Sequence, residues 1–402
     1  MSARWRRVYS WPSPLGREPG GSRHAFSIWN APLNLSQATQ VLYVAIELSK
    51  SAWVVAVQDR GKNRPSLHKL AAGDVEDLLA VAARAQAQHG TTSITCCYEI
   101  GYDGFWLARR LTALGWEVRI VEPASLQVDR RARRAKTDRI DVLALMRGLI
   151  AYEGGDARVW RTVTLPTAEE EDRKRQHRER RVLIEEKGRH VNRIKGMLAQ
   201  QGIYDFEPAL ANRWKILEQL RTGDHRTLPA CLRRAIEREL HRLEFVLSQI
   251  KEIESEQRQW IEREPDRQAQ TVAHLTELRG IGWRSAAVVV NEALYRGFHN
   301  RRQLAAFAGL APSPFMSGGM RHEQGINKTS NPALRTTLVE LSWLWLRYQP
   351  QSSLARWFKE RSQGGSPRLK RIMIVALARK LLVALWRFAK EGLVPEGALL
   401  KA

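Results

Sequence analysis

Cysteine is nearly absent: three in 402 residues, with Cys96 and Cys97 adjacent and Cys231 far away. Thiols so few and so placed exclude a disulfide framework and a four-thiolate zinc site, and they fit a reducing compartment. Any apolar run of membrane-spanning length is also missing. The most apolar stretch, 372–386, is broken by Arg379 and Lys380. It falls short of the roughly 20 residues a span needs and reads as an amphipathic core helix. Residues 1–37, rich in Arg, Ser, Pro and Gly, lack the apolar segment of a signal peptide and read as a disordered basic tail. Acidic residues are in deficit, 42 Asp and Glu against 65 Lys and Arg, for a net charge of +23. A surplus of that size is the electrostatic footprint of a polyanion-binding protein. Ribosome-associated and membrane-surface proteins share it, so the choice falls to chemistry.

What is present divides into three regions. From Val41 onward the pattern is β then α. Short runs rich in Val, Ile, Tyr and Trp at 41–47 and 52–58 flank a hairpin turn, and 66–71 reads as a third strand. Asp74 caps a helix carrying Leu78, Leu79, Ala82 and Ala85 at helical spacing. A strand at 93–99, a helix at 104–114 and a strand at 117–121 follow, which together predict a mixed sheet flanked by helices over 38–155. The second region, 156–265, reads as a helical, coiled-coil-like linker. It has Thr167 as a cap, acids at 169–172 in the first turn, a dense basic run at 173–181 and a thin stripe of Val182, Ile184, Val191, Ile194 and Leu198. Such a helix bridges solvent or pairs with another copy. The third region, 266–402, reads as all helical with Gly-, Pro- and Asn-rich junctions. Trp343, Trp345, Trp357, Trp386, Trp53 and Trp106 read as core residues rather than base-stacking platforms.

Four carboxylates in the first region form a constellation. Glu47 and Glu99 end strands after buried apolar runs, where an acid is costly without a partner. Asp138 and Asp141 open a helix three residues apart and therefore share one face. An all-oxygen set of this kind suits Mg²⁺, with Mn²⁺ as the alternative, and two such ions clamp the attacking and leaving oxygens of a phosphodiester. The plainer reading is that the aspartates offset Arg130, Arg131, Arg133, Arg134 and Lys136 as a surface charge pattern.

The arrangement resembles the RNase H-like (RuvC-like) domain of Holliday-junction resolvases. A second set of motifs narrows it. Gly309-Leu310-Ala311-Pro312-Ser313, Ser317-Gly318-Gly319, the run from Ile326 to Asn331 and Leu334-Arg335 are similar to the C-terminal signature of the transposases of insertion-sequence family 110, together with the Piv/MooV-type DNA invertases. Ile46-Glu47-Leu48-Ser49-Lys50, Tyr98-Glu99-Ile100-Gly101 and 136–141 match the family's N-terminal motifs in order. Glu47 stands where the family usually has aspartate. The resemblance implies a DEDD metal site of Glu47, Glu99, Asp138 and Asp141, and a Ser317 that attacks DNA to form a phosphoserine intermediate. It also implies a structured guide RNA that selects DNA, a homo-oligomer (dimer or tetramer), and a cytoplasmic, nucleoid-associated bacterial protein. Nothing in composition or spacing points to the RNA.

Physically, the glycines after Ser317 let a phosphate backbone approach, and Arg321, Lys328 and Arg335 are placed to stabilise developing charge. A bare Ser-Gly-Gly is otherwise a flexible turn. Leu278-Arg279-Gly280-Ile281-Gly282 ahead of a helix reads as a helix-hairpin-helix whose Gly280 and Gly282 backbone holds phosphate, or as a plain helix–helix turn. The basic run at 173–181 reads as a phosphate-neutralising surface. Two rivals remain at this level: a metal-dependent junction nuclease with no covalent serine step, and a non-catalytic nucleic-acid-binding protein.

Overall fold

The computed structural model describes residues 41–59, 64–126, 137–263, 266–317, 320–326 and 330–401. The basic tail and Lys328 lie outside them, as do Gly318 and Gly319. Strands Val41–Glu47 (β1), Ala52–Asp59 (β2) and Ser66–Ala71 (β3) precede helix Val75–His89 (α1). Ser93–Glu99 (β4), Trp106–Ala113 (α2), Glu117–Val121 (β5) and Asp138–Glu153 (α3) follow. The sheet order is β3-β2-β1-β4-β5, antiparallel from β3 to β1 and parallel from β1 to β5. β1 and β4 each bury five consecutive residues because helices cover both faces of the sheet. Leu42, Val44, Ile46, Trp53 and Tyr98 pack with α1 and α2. Tyr43, Ala45, Ala56 and Cys97 pack with Val142, Leu145, Met146 and Leu149 of α3. This is the mixed sheet expected of an RNase H-like domain.

Helices Ala168–Ala199 (α4), Arg213–Gln219 (α5) and Ala230–Arg263 (α6) form the middle region. A capping box starts α4: the Thr167 side chain accepts the Glu170 N–H, and the Glu170 carboxylate accepts the Thr167 N–H. α4 packs along α6 of the same chain. The expected stripe is corrected by one residue: Leu183 is buried with Val246, Ile250 and Ile253 of α6, while Val182 and Ile184 face outward. Residues 182–184 are all apolar, and only the middle one lies in phase with Ile194 and Leu198 on the buried face.

The basic run at 173–181 is corrected too, because most of it is consumed inside the chain. Arg173 pairs with Asp266 at 2.5 Å, Arg175 with Asp172 at 3.3 Å, Arg178 with Glu292 at 3.0 Å and Arg180 with Glu254 at 2.7 Å. Further along α4, His190 and Arg193 join Arg242 of α6 around buried Glu239. Burial alone would raise that carboxyl, but hydrogen bonds from His190, Arg193 and Arg242 hold it at about 2.

The last region holds Arg267–Thr276 (α7), Trp283–Val289 (α8) continuing through a π-helical turn at Val290–Leu294, and Arg301–Phe307 (α9). Pro332–Tyr348 (α10), Ser353–Ser362 (α11) and Pro367–Glu391 (α12) complete it around a core that includes Leu275, Val289, Leu338, Trp345, Leu381 and Leu385. It is helical except for one antiparallel hairpin, Pro312–Ser317 (β6) and Met320–Ile326 (β7), where the sequence suggested only a junction. Pro312 and Pro314 deny a helix its N–H donors and fix an extended backbone. Two of the tryptophans read as core are exposed, Trp343 at 50% and Trp106 at 39%. Trp343 and Trp345 sit two apart on one helix and cannot share a face. Trp345 takes the core, donating its indole N–H to Ser352 Oγ at 2.9 Å.

Candidate functional site

Ile46 stands opposite Tyr98 in the parallel β1–β4 pair. Glu47 and Glu99 are the next residues, so both lie at the same end of adjacent strands, each half-buried as its strand leaves the core. The loops beyond stay together: Lys50 Nζ lies 4.7 Å from the centroid of the Tyr102 ring. Tyr102, three residues after Glu99, is 85% exposed. Lys50 closes the motif that begins at Ile46, whereas Tyr102 was not marked by the sequence patterns. The only signal was Gly101 and Gly104 bracketing a strand-end loop.

α3 supplies the aspartates. Thr137 caps it by accepting the Ile140 N–H, which puts Asp138 and Asp141 in the first turn. The Leu145 carbonyl lies 3.7 Å from the Cys97 thiol, two residues before Glu99. Residues Met146 to Ala151 share a cleft with Gln58, which pairs with Tyr43 toward the other end of β1. The helix therefore runs back across the strands, and its acidic first turn lies toward the edge that bears Glu47 and Glu99. Asp138 is exposed and Asp141 half-buried.

The four are not gathered into a finished ligand cage: among the described residues, no three His, Cys, Asp or Glu side chains form a metal-binding group. The donor chemistry nonetheless fits a hard divalent cation. All four supply carboxylate oxygen. The Cys96 and Cys97 thiols are fully buried in the body of β4, short of the strand end that carries Glu99. Oxygen is the donor left at this edge.

Ser317 lies in the other half of the chain. It ends β6 and pairs with Met320 across the hairpin, so it sits at the tip. Arg321 pairs with Met316 on the returning strand. Arg335, half-buried, is in the first turn of α10. The base of this hairpin segment is closed by Asn331, whose N–H donates to the Phe307 carbonyl at 3.3 Å.

Gly280 and Gly282 lie in the turn between α7 and α8. Gly280 has φ +91°, and a Cβ there would come within 2.8 Å of Tyr348 Cβ. Gly282 has an ordinary φ of −90° and nothing within 4 Å of a Cβ position. The C-terminal strap crosses this turn: the Arg279 N–H donates to the Leu399 carbonyl, and Gln349 Nε2 donates to both the Arg279 and Leu399 carbonyls at 2.8 Å. The Arg279 amide is therefore taken by the chain itself.

Comparison with known proteins agrees with this layout. Residues 44–202 match the DEDD-type transposase model of IS110, and residues 272–357 match the model described as "Transposase IS116/IS110/IS902 family". Over 92% of its length the chain is 46% identical to y4rJ of Sinorhizobium fredii, a protein with a transposase name, and covers 97% of that protein. It is 25% identical to "Probable family 20 transposase" of Pseudomonas aeruginosa, over 85% of this chain and 95% of the relative. It is 24% identical to "Transposase for insertion sequence element IS1328" of Yersinia enterocolitica, over 72% of this chain and 81% of the relative. No helix among the described residues is long and apolar enough to cross a membrane. A mixed RNase H-like sheet, a helical region after it and near-full-length similarity agree: the chain belongs to the IS110 family of transposases.

Proposed function

We propose that this transposase cleaves and rejoins the DNA of a mobile element with two groups of residues, the carboxylates Glu47, Glu99, Asp138 and Asp141 and the nucleophile Ser317, as in the Piv/MooV-type enzymes. The observation that supports the reading is that two neighbouring strand-end glutamates and an acidic helix start lie toward the same end of the sheet. Domains at 38–155, 156–265 and 266–402 divide the labour. The first holds metal, the second spaces the halves, and the third carries the serine and, at Gly280 and Gly282, a helix-hairpin-helix phosphate contact.

Glu47, Glu99, Asp138 and Asp141 would hold a divalent ion, Mg²⁺ or Mn²⁺, which when bound would supply polarisation of phosphate oxygens and offset their charge. The chain's own chemistry is nucleophilic substitution. The Ser317 oxygen bonds to phosphorus as the phosphorus–oxygen bond to the departing strand breaks. The serine proton passes to solvent or a basic group, and the departing oxygen takes up a proton. Rejoining reverses this: an incoming strand hydroxyl attacks phosphorus and the serine oxygen leaves, so the bond energy is retained. Arg321, Lys328 and Arg335 supply positive charge to the transition state. A guide RNA chooses the DNA, and a homo-oligomer, dimer or tetramer, assembles the site from separate protomers.

Incubating the protein with donor DNA, its RNA and Mg²⁺ is expected to leave a phosphoserine-linked DNA on the Ser317 peptide, found by mass spectrometry. Ser317→Ala should abolish both adduct and joined product while binding persists, and Ser313→Ala should be much milder. Glu99→Gln and Asp138→Asn should abolish cleavage with nucleic-acid binding changed only a few-fold. An adduct on another residue would move the nucleophile. Recombination by Ser317→Ala with no adduct in wild type would replace the serine step with metal-dependent hydrolysis and leave a junction-type nuclease.

A further inference from the structure

Glu292 is 2% exposed, in the π-helical turn that ends α8. Four donor contacts reach it. His177 Nε2 lies 2.7 Å from Oε1, and Arg178 of the same helix spans both oxygens, Nε at 3.0 Å and Nη2 at 3.1 Å. Asn331 Nδ2 donates to Oε2 at 2.7 Å. One turn away, Lys174 Nζ donates to the Tyr295 hydroxyl at 2.6 Å. A carboxylate this deep is costly unless every oxygen is satisfied, and here the donors come from two separate parts of the fold. His177 and Arg178 belong to α4. Asn331 belongs to the end of the serine-bearing segment, where it also caps α10 by accepting the Leu334 N–H at 3.0 Å and closes the segment onto Phe307.

The same two turns of α4 grip the metal-type domain. Glu171, seven residues before Arg178, pairs with Arg109 of α2 at 2.8 Å, and Arg109 Nη1 also donates to the Pro166 carbonyl. At roughly 1.5 Å rise per residue, these two grips are about 10 Å apart along one rigid helix. The start of α4 is thus a strut with the sheet domain at one end and the base of the Ser317 hairpin at the other. The π turn supports this role, since such single turns interrupt an α-helix to present particular side chains.

We infer that Glu292 is a positioning residue: through Asn331 it sets the serine-bearing segment at a fixed place on α4, and so relative to the carboxylate edge. The inference rests on the reading of Ser317 as the nucleophile. It requires Glu292 to act on the covalent step while leaving nucleic-acid binding alone.

The test is a swap. Glu292→Gln places an amide opposite the Asn331 amide, and Asn331→Asp places two carboxylates together. The double variant restores one amide and one carboxylate, and the carboxylate introduced by Asn331→Asp can still accept the Leu334 N–H. Each single variant should form the Ser317 adduct at least 10-fold more slowly, with DNA binding within about two-fold and amide exchange faster over 320–331. The double variant should recover most of the rate. Glu239→Gln is the reference: it weakens the equivalent buried cluster further along α4 and should leave adduct formation unchanged, though it too loses stability. If Glu292→Gln forms the adduct at the wild-type rate, or the double variant falls as far as the singles multiplied, the inference is wrong while the Ser317 assignment stands. If Glu239→Gln slows the adduct equally, the effect is general stability and the inference is again wrong. Should wild type itself give no adduct on Ser317, the nucleophile reading fails first and takes this one with it.

Discussion

Glu292→Gln also makes a thermodynamic prediction whose size follows from the structure. Burial by itself raises the Glu292 carboxyl, but hydrogen bonds from His177 and Arg178, with the charge of Arg178, outweigh it and hold it at about 2 against an ordinary 4.5. At about 1.4 kcal/mol per tenfold change in proton affinity, the ionised group contributes about 3 kcal/mol at neutral pH. The folded value lies below the unfolded one. The contribution is therefore complete above about pH 4.5 and is lost as pH falls toward 2, with about 2 kcal/mol gone at pH 3. Glutamine has no charge to lose. The stability gap between wild type and Glu292→Gln, measured by urea unfolding with tryptophan fluorescence at constant ionic strength, should narrow by about 2 kcal/mol between pH 5.5 and pH 3. Trp345, in the same core, reports on this region. Subtracting the variant cancels every other carboxylate that titrates in both proteins. A gap that stays constant over that window would show that the ionised carboxyl gains nothing from its donors, and the ion-cluster argument would fall.

Two further outcomes follow from the site. Glu47→Asp should keep part of the cleavage activity and Glu47→Gln very little, because the carboxylate, rather than its length, is what the edge provides; full activity in Glu47→Gln would remove it from the metal set. Gly280→Ala should cost about 1–2 kcal/mol from its left-handed backbone, more if Tyr348 cannot yield, whereas Gly282→Ala should leave unfolding unchanged and weaken nucleic-acid binding; unchanged binding in Gly282→Ala would reduce the turn to a plain helix junction.

Much of the N-terminal sheet was legible because strand periodicity, the Asp74 cap and short turns are local properties. Strand bounds for β1, β3, β4 and β5 coincide with the sequence reading. That Glu47 and Glu99 would be neighbours was implied by the family resemblance and not by strand pattern. It depends on β4 inserting beside β1 after a helical crossover, which is a long-range pairing. The hairpin bearing Ser317 was read as a junction because its strands are short and rich in proline and glycine, which mask alternation. Glu292 was missed for a different reason. In the sequence it is one acid in a helix, and its partners lie 115, 114 and 39 residues away. A single sequence carries no sign that three remote donors will meet one carboxylate.

The basic surplus shows how charge should be read once pairs are known. The densest run, 173–181, looked like the surface for phosphate, yet its arginines are largely matched to acids of α6, the start of α7 and the π turn. A paired guanidinium releases few counterions, so it adds little to salt-dependent binding. A cluster of unpaired cations lies on other helices. Among the described residues, Arg301 and Arg302 of α9, Arg361 of α11 and Arg379 and Lys380 of α12 have no ion-pair partner. Lys380 carries the mark of that crowding: burial first, then the charges of Arg361, Arg301 and Arg379, lower its pKa. Its ammonium lies 4.7 Å from the centroid of the Trp357 ring. Like charges are held together in a folded protein at a cost, and a polyanion relieves that cost when it binds. Charge density in the sequence therefore marks the linker, while a cluster of unpaired charge sits on α9, α11 and α12, and α9 leads directly into the Ser317 hairpin.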